Sequence, residues 1–279
     1  MPGDILDSDG KVVRQFSSGD KPASLNAERY FAKDWLKSPE SLSAAAGAHR
    51  FVWDLHYPRP SAIEYGYSIA ATWDSDTPIT PEGPLVLPGS YQVVLHVDGK
   101  SYRAPLVIIM DPREHVSEGE LAEGLAYSRN IGGLLQRMSQ GYGEIQSVRD
   151  QLDALNNKLG KDTAKNSLLV SVDALRSKTK PLVSGSGETS LNLHAMNDAL
   201  AAIATDVEGA DRAPTSGQQQ ALAEYQSNLD KALGQWQAIR ATDLPKLNGQ
   251  LHDAGMATIT VPTPGQIHIG EPGESQDMR

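Results

Sequence analysis

The apolar positions of this chain change their period near residue 113. Before it they come in short alternating runs broken by proline and glycine. After it they recur in steps of three and four. The first pattern predicts strands and the second helices. Ile5-Leu6 and Val12-Val13-Arg14-Gln15-Phe16 flank Asp7-Ser8-Asp9-Gly10, where Asp-Gly supplies the positive φ of a hairpin turn. Residues 17–47 are polar and irregular, with Tyr30, Phe31 and Trp35 expected to plug onto a sheet. The run from His49 to Leu55 alternates, with Phe51, Trp53 and Leu55 on one face and Arg50, Val52 and Asp54 on the other. It reads as a central strand that ends in the proline-bracketed loop His56–Pro60. Tyr67–Ala71 also reads as extended. Tyr91–Val97 and Ser101–Met110 form a hairpin about Asp98-Gly99, and Pro105 marks an edge or a bulge.

Ser117 with Glu120 forms a capping box that opens a long helix. Its seam is Ile131, Leu134, Met138, Gly141, Ile145, Val148, Leu152, Leu155 and Leu159, an a/d spacing that Gly160 ends. Further stripes predict helices over about 163–180, about 190–208, and from Thr215 or Ser216 onward, the last kinked or restarted at Pro245. The expected fold is therefore α+β in two segregated parts: an Ig-like or FnIII-like antiparallel β-sandwich over 1–112, then an elongated antiparallel bundle of three to four helices over 113–256. Residues 257–279, rich in Pro and Gly, read as a flexible tail.

Composition sharpens the division. Eleven of 17 prolines and 12 of 16 Phe, Trp and Tyr residues fall in 1–112, which is the punctuation of a β part. The net charge of −10 is spread over both parts without a basic stripe, which argues against nucleic acid. No apolar run reaches the length of a membrane span, so no membrane insertion is expected. The chain has no cysteine, which removes disulfides, thiolate metal sites and cysteine nucleophiles. Met1–Leu6 lacks a basic or apolar leader, so no signal peptide is read, and the early strand is expected of a piece cut from a longer chain.

The succession Ile5-Leu6-Asp7-Ser8-Asp9-Gly10-Lys11-Val12-Val13-Arg14-Gln15-Phe16, Gly47 to Leu55, Gly83-Pro84, Pro88 to Val93, Asp98 to Ser101 and Met110 to Arg113 resembles a known family. It is similar to the C-terminal region of large bacterial sortilin-like, BNR-repeat β-propeller proteins, often labelled glycosyl hydrolases or photosystem II assembly factor-like. The resemblance spans residues 4–112 and, more loosely, Thr215–Leu251. It implies an Ig-like module similar to that of flagellar hook-capping proteins, an extracytoplasmic setting, and a β-propeller of the same or another chain as partner. No Ser-x-Asp-x-Gly-x-x-Trp box is present. The resemblance thus implies a fold and a context, not active-site residues.

Chemistry in the sequence is sparse. Asp54, Glu64, Asp74 and Asp76 are the acids a glycosidase reading would pair, but such numbers are ordinary in an acidic chain. The seven histidines (49, 56, 96, 115, 194, 252, 268) fall in no metal-binding spacing, and no nucleophile elbow or phosphate loop exists. No catalytic residue, metal or cofactor is expected. The one dense group is Trp53, Asp54, His56, Tyr57, Arg59, Glu64, Tyr65, Tyr67 and Trp73, aromatics interleaved with hydrogen-bonding side chains. It is the candidate surface for a protein partner or, alternatively, a glycan. The expected function is a non-catalytic accessory module that positions a β-propeller or another protein. The alternative is a carbohydrate-binding or glycoside-hydrolase-associated module.

Overall fold

The structure, a computed structural model, describes residues 1–20, 41–67, 79–160, 166–184 and 191–263. Tyr30, Phe31 and Trp35, residues 68–71 of the expected extended run, Trp73, and the tail from 264 lie outside them. The architecture is mixed α+β, a four-stranded antiparallel sheet followed by helices.

The strands are β1 (Pro2–Leu6), β2 (Val12–Ser17), β3 (Gly66–Tyr67), β4 (Ile79–Thr80), β5 (Gly89–Val97) and β6 (Lys100–Ile108). The sheet runs in the order β2-β1-β5-β6, and β3 pairs with β4 apart from it. The β5–β6 turn takes positive φ at both Asp98 (49°) and Gly99 (75°), the type I′ geometry that matches strand twist. A bulge between Ile5 and Leu6 lets Val13 turn inward beside Ile5, both almost fully buried.

Residues 49–55 do not form the expected central strand. Among the described residues they join no ladder, and the only pairing nearby is the single bridge His56–Leu85. The cause is local. Leu55 adopts φ 64°, which ends the extended run, and Trp53 Nε1 folds back to donate to the His56 carbonyl at 3.0 Å. The alternation holds as far as Asp54, with Phe51 and Trp53 turned in and Val52 and Asp54 out, but Leu55, expected on the inward face, is exposed. The layer over the sheet is thus made of irregular segments. Trp53, Tyr57 and Val86 pack onto Ile5, Val13 and Tyr91 as a small core.

The helices are α1 (Glu118–Leu159), α2 (Asn166–Val183), α3 (Leu193–Glu208), α4 (Ser216–Ala238) and α5 (Leu244–Asp253). The 42 residues of α1 span about 63 Å at 1.5 Å each. Ser117 and Glu120 form the capping box, and Thr215 with Gln218 forms a second at α4. Every predicted seam residue of α1 but Leu155 is buried, in one core with the stripes of α2 to α5. The a/d seam is therefore filled from within the chain. Gly141 belongs to it because a Cβ there would press on Leu233.

α4 and α5 are joined by one wide π-type turn, Ile239–Asp243, in which Leu244 N–H bonds the Ile239 carbonyl. Pro245 explains it. Lacking an N–H and crowding the preceding turn, it is accommodated by widening the helix rather than ending it. Beside this turn the buried Glu144 carboxylate accepts from Trp236 Nε1 at 2.8 Å and from Arg240 at 3.2 Å, tying α1 to α4.

After Gly255 (φ 66°) the chain turns back along the bundle. The Asn248 amide bonds both the N–H and the carbonyl of Ile259, at 2.8 and 2.9 Å. The Gln151 amide does the same to Thr260, at 3.0 and 2.8 Å. Ile259 is 4 % exposed. Residues 257–263 of the stretch expected to be a flexible tail are thus strapped to the bundle. Ile259→Ala should lower unfolding stability by about 2–4 kcal/mol through the cavity it leaves. Thr260→Ala, which keeps the backbone bonds, should change it by less than about 0.5 kcal/mol. Urea unfolding of both variants checks this.

Candidate functional site

Two segments are clasped side by side. Tyr57 N–H bonds the Pro84 carbonyl and Val86 N–H the Leu55 carbonyl, each at 2.9 Å. Gly83 makes the approach possible: a Cβ there would fall inside the carbonyl oxygens of Tyr57 and Pro58. Arg14 donates to the Tyr57 carbonyl at 2.8 Å from the sheet side. Following this clasp, Ala62 and Ile63 enter the helical core. Ile63 N–H donates to the buried Asn197 Oδ1 at 2.9 Å, and Ser139 Oγ to the Ala62 carbonyl at 3.4 Å.

The predicted residues divide accordingly. Trp53 is half-buried, edge-to-face with Tyr91 at 6.2 Å. Asp54 is exposed, and its Oδ1 accepts from His56 N–H at 3.1 Å. The His56 ring donates from Nδ1 to the Asp54 carbonyl at 2.9 Å. The Tyr57 ring is covered by the Arg129 guanidinium, 4.4 Å from its centroid. Arg59 donates Nε–H to the Ile79 carbonyl at 3.0 Å and lies 5.9 Å from the Tyr65 ring centre; burial pulls its pKa down. The Tyr65 hydroxyl donates to Pro60 and accepts from Ala62 N–H, so it closes its own loop, and burial raises its pKa. Tyr67 lies in β3 opposite Ile79. Trp73 is outside the described residues, as are Asp74 and Asp76.

Asp54 and Glu64 are not brought together as a carboxylate pair. Asp54 sits with His56 and Glu82, and Glu64 with His194 and Asp198; in each trio one donor atom per residue lies within 4.8 Å of the others. These are the groups among the described residues that could hold an ion. In the second, His194 faces Glu64 through Nε2 (3.1 Å) and Asp198 through Nδ1 (3.4 Å). Both ring nitrogens therefore meet carboxylates, the setting of an imidazolium rather than a metal ligand.

The concavity lies between the clasp and the bundle, a cleft of about 450 Å³. Tyr57, Arg59, Ser61 and Glu82 line its outer wall, and Arg129, Gln136 and Glu208 its helical wall. Ile131, Leu135 and Ala204 form the floor. Burial first, and the Glu82 carboxylate second, push the Glu208 carboxyl up to about 8. Sequence reading found Tyr57 and Arg59 but missed Glu82, Arg129 and Glu208, which come from three distant stretches and carry no motif. The isolated acid at the end of an otherwise apolar stripe, Glu208 after Leu200, Ala204 and Val207, was the available signal. Comparison of the chain with protein-family models, with curated proteins and with solved structures finds no match in any of the three.

Two results are expected. Gly83→Ala should part the clasp and cost several kcal/mol of stability, of the order of the largest single-site effects, measured by denaturant unfolding. Stability should also fall as pH rises, for two reasons of the same sign. Glu208 keeps its proton when folded up to about 8 but loses it near 4.5 when unfolded, so stability declines between those values. The hydrogen bond that His194 donates to Asp198, helped by the Asp198 and Glu64 charges, raises the His194 pKa despite its partial burial. Its contribution is full below its ordinary 6.5 and is lost as pH climbs through the folded value. Urea midpoints across pH should show the decline. Glu208→Gln should flatten its lower portion and His194→Gln its upper; a slope unchanged in both variants contradicts the assignment.

Proposed function

We propose that the protein is a non-catalytic interaction module, an Ig-like sheet braced by a helical bundle, which docks a protein partner along β6. The observation that carries this reading is the exposure of β6. Tyr102 is 57 %, Val107 64 % and the adjoining Ile109 80 % exposed, a concentration of apolar surface at one sheet edge. Among the described residues β6 pairs only with β5. The two-residue turn makes Val97 and Lys100 the hydrogen-bonded closing pair, so Lys100, Tyr102, Ala104, Leu106 and Ile108 turn their backbone groups to β5. Ser101, Arg103, Pro105 and Val107 turn theirs outward. Pro105 has no N–H to offer on that open side, which blocks continuous strand addition. Docking through side chains is the mode that remains.

The resemblance to sortilin-like, BNR-repeat proteins supplies the partner and the setting: a β-propeller, of the same or another chain, outside the cytoplasm. The glycan alternative draws less support. Trp53 packs on Tyr91, the Tyr57 face is covered by Arg129, and the Tyr65 hydroxyl is engaged within its loop, so no aromatic platform lies open among these three.

Titration calorimetry of the intact chain against a purified BNR-repeat β-propeller tests the reading. Binding is expected, weakened about tenfold or more by Val107→Lys with Ile109→Lys, exposed positions whose change should leave the melting temperature nearly unaltered. Equal binding by the double variant, no binding at all, or turnover of a glycoside by the chain overturns it.

A further inference from the structure

The segment that follows α5 is held by its backbone as much as by its side chains. It runs between α5 and α1, bonded to Asn248 of the first and to Gln151 of the second. Asn248 takes both the N–H and the carbonyl of Ile259, and Gln151 takes both those of Thr260. In an extended chain the N–H and carbonyl of one residue point the same way, and those of the next residue point the opposite way. The two amides thus bracket an extended backbone from both walls, each offering one donor and one acceptor. The side chains alternate accordingly. Ile259 is buried in the core that the helices share, Thr260 is exposed, and Val261 packs against the edge of that core. Burial accounts for only half of this arrangement. The backbone groups of Ile259 leave water with their side chain and need partners. Those of Thr260 bond Gln151 at an exposed position, where water would serve them as well. The Gln151 pair therefore adds recognition of backbone direction and register.

We propose that α1 and α5 form a peptide groove, occupied in cis by residues 257–261, which takes in trans an extended segment of a partner protein with aliphatic residues at two alternate positions. The four bonds run from Asn248 and Gln151 to main-chain atoms, so they fit any segment with an N–H at two successive residues. The place of Ile259 selects an aliphatic side chain, and that of Val261 a second. Main-chain bonds that give affinity, with pockets for alternate side chains that give specificity, are the general chemistry of extended-peptide recognition. Gly255, at φ 66°, is the turn that lays the segment back along the bundle. The strap then competes as a tethered ligand at an effective concentration of about millimolar. A partner segment enters when the strap is outcompeted or loosened. The groove lies in the helical part and does not depend on docking along β6.

Titration calorimetry of the full chain with the blocked peptide Met-Ala-Thr-Ile-Thr-Val-Pro, the sequence of residues 256–262, tests it. Ile259→Asp puts a charge at a site 4 % exposed and lifts the strap. This variant is expected to bind the peptide about tenfold or more tightly than the parent chain, and the peptide to raise its melting temperature. Thr260→Pro, which withdraws the N–H that Gln151 accepts, should gain in the same direction and guards against a fold defect in one variant. In the Ile259→Asp background the strap no longer competes, so Asn248→Leu and Gln151→Leu report on the free peptide alone. Each should weaken it about tenfold, the scale of two lost hydrogen bonds. A peptide N-methylated at its Ile and at the Thr that follows, which keeps both side chains and loses both donors, should weaken likewise. No gain in either strap variant, or binding indifferent to N-methylation and to both amide substitutions, overturns the proposal. A parent chain that sediments as a dimer, and that the peptide dissociates, makes a second copy the occupant and overturns the assignment to a partner protein.

Discussion

A piece of loop backbone sits inside the helical core, and the rest of the molecule is arranged around making that tolerable. Burying Ile63 among the helices carries its own N–H and the Ala62 carbonyl out of water, and a buried amide without a partner costs on the order of 1–3 kcal/mol. Asn197, 1 % exposed, and Ser139 supply those partners. They lie on α3 and α1, so the two bonds fix the loop against both helices at once. What precedes the loop is then fixed as well: the clasp of 55–57 on 84–86 and the sheet beneath it. The cleft lies between the residues that lead to this point of entry and helices α1 and α3.

Among the described residues of the bundle, the buried charge of Glu144 is answered on both oxygens. Glu144 has Trp236 and Arg240 on one carboxylate oxygen, and Gln140 reaches the other at 3.5 Å. The strap is treated alike, each of two side-chain amides satisfying both backbone groups of one residue. Glu208 is the contrast. It is half-buried on a helical wall where Glu144 is buried, and the charge beside it is another carboxylate. A fold that pairs its polar groups so thoroughly elsewhere makes that imbalance informative.

The helical part was legible because its signal is redundant. The α1 seam, eight of whose nine positions are buried, the Ser117–Glu120 capping box and a terminating glycine all agree, and tertiary packing then uses the same stripe that periodicity reveals. The hairpin at Asp98-Gly99 was legible for the same reason, since only a few residue types accept its two positive φ values. The run 49–55 misled because alternation reports which side chains turn inward, and they do, while saying nothing about whether a neighbouring strand exists to pair with. No residue type in that run announces the left-handed Leu55. The aromatic cluster was legible only as composition, which cannot say whether a Trp or Tyr face is open or already covered. The cleft was illegible because Tyr57, Glu82, Arg129 and Glu208 meet only through the insertion of Ile63, a contact 134 residues long in sequence.

Local departures from good packing and good dihedrals gather at the clasp and are scarce in the helices. Leu55 holds a left-handed conformation that costs a non-glycine residue roughly 1–2 kcal/mol, and its side chain is left 37 % exposed. Gly83 has no room for a Cβ. Burial first, and the Glu82 charge second, raise the Glu208 carboxyl to about 8. Each alone is a minor expense that the surrounding bonds over-determine: the two clasp bonds, which together make the His56–Leu85 bridge, and the Arg14 contact hold the backbone regardless of what Leu55 prefers. Of the three, Glu208 lines the cleft. Strain and unanswered charge persist in folded proteins where the surroundings enforce them, and they concentrate where a ligand or a partner completes the arrangement. The clasp is therefore where this fold accepts its least favourable local geometry, and it does so through contacts that only the folded chain assembles.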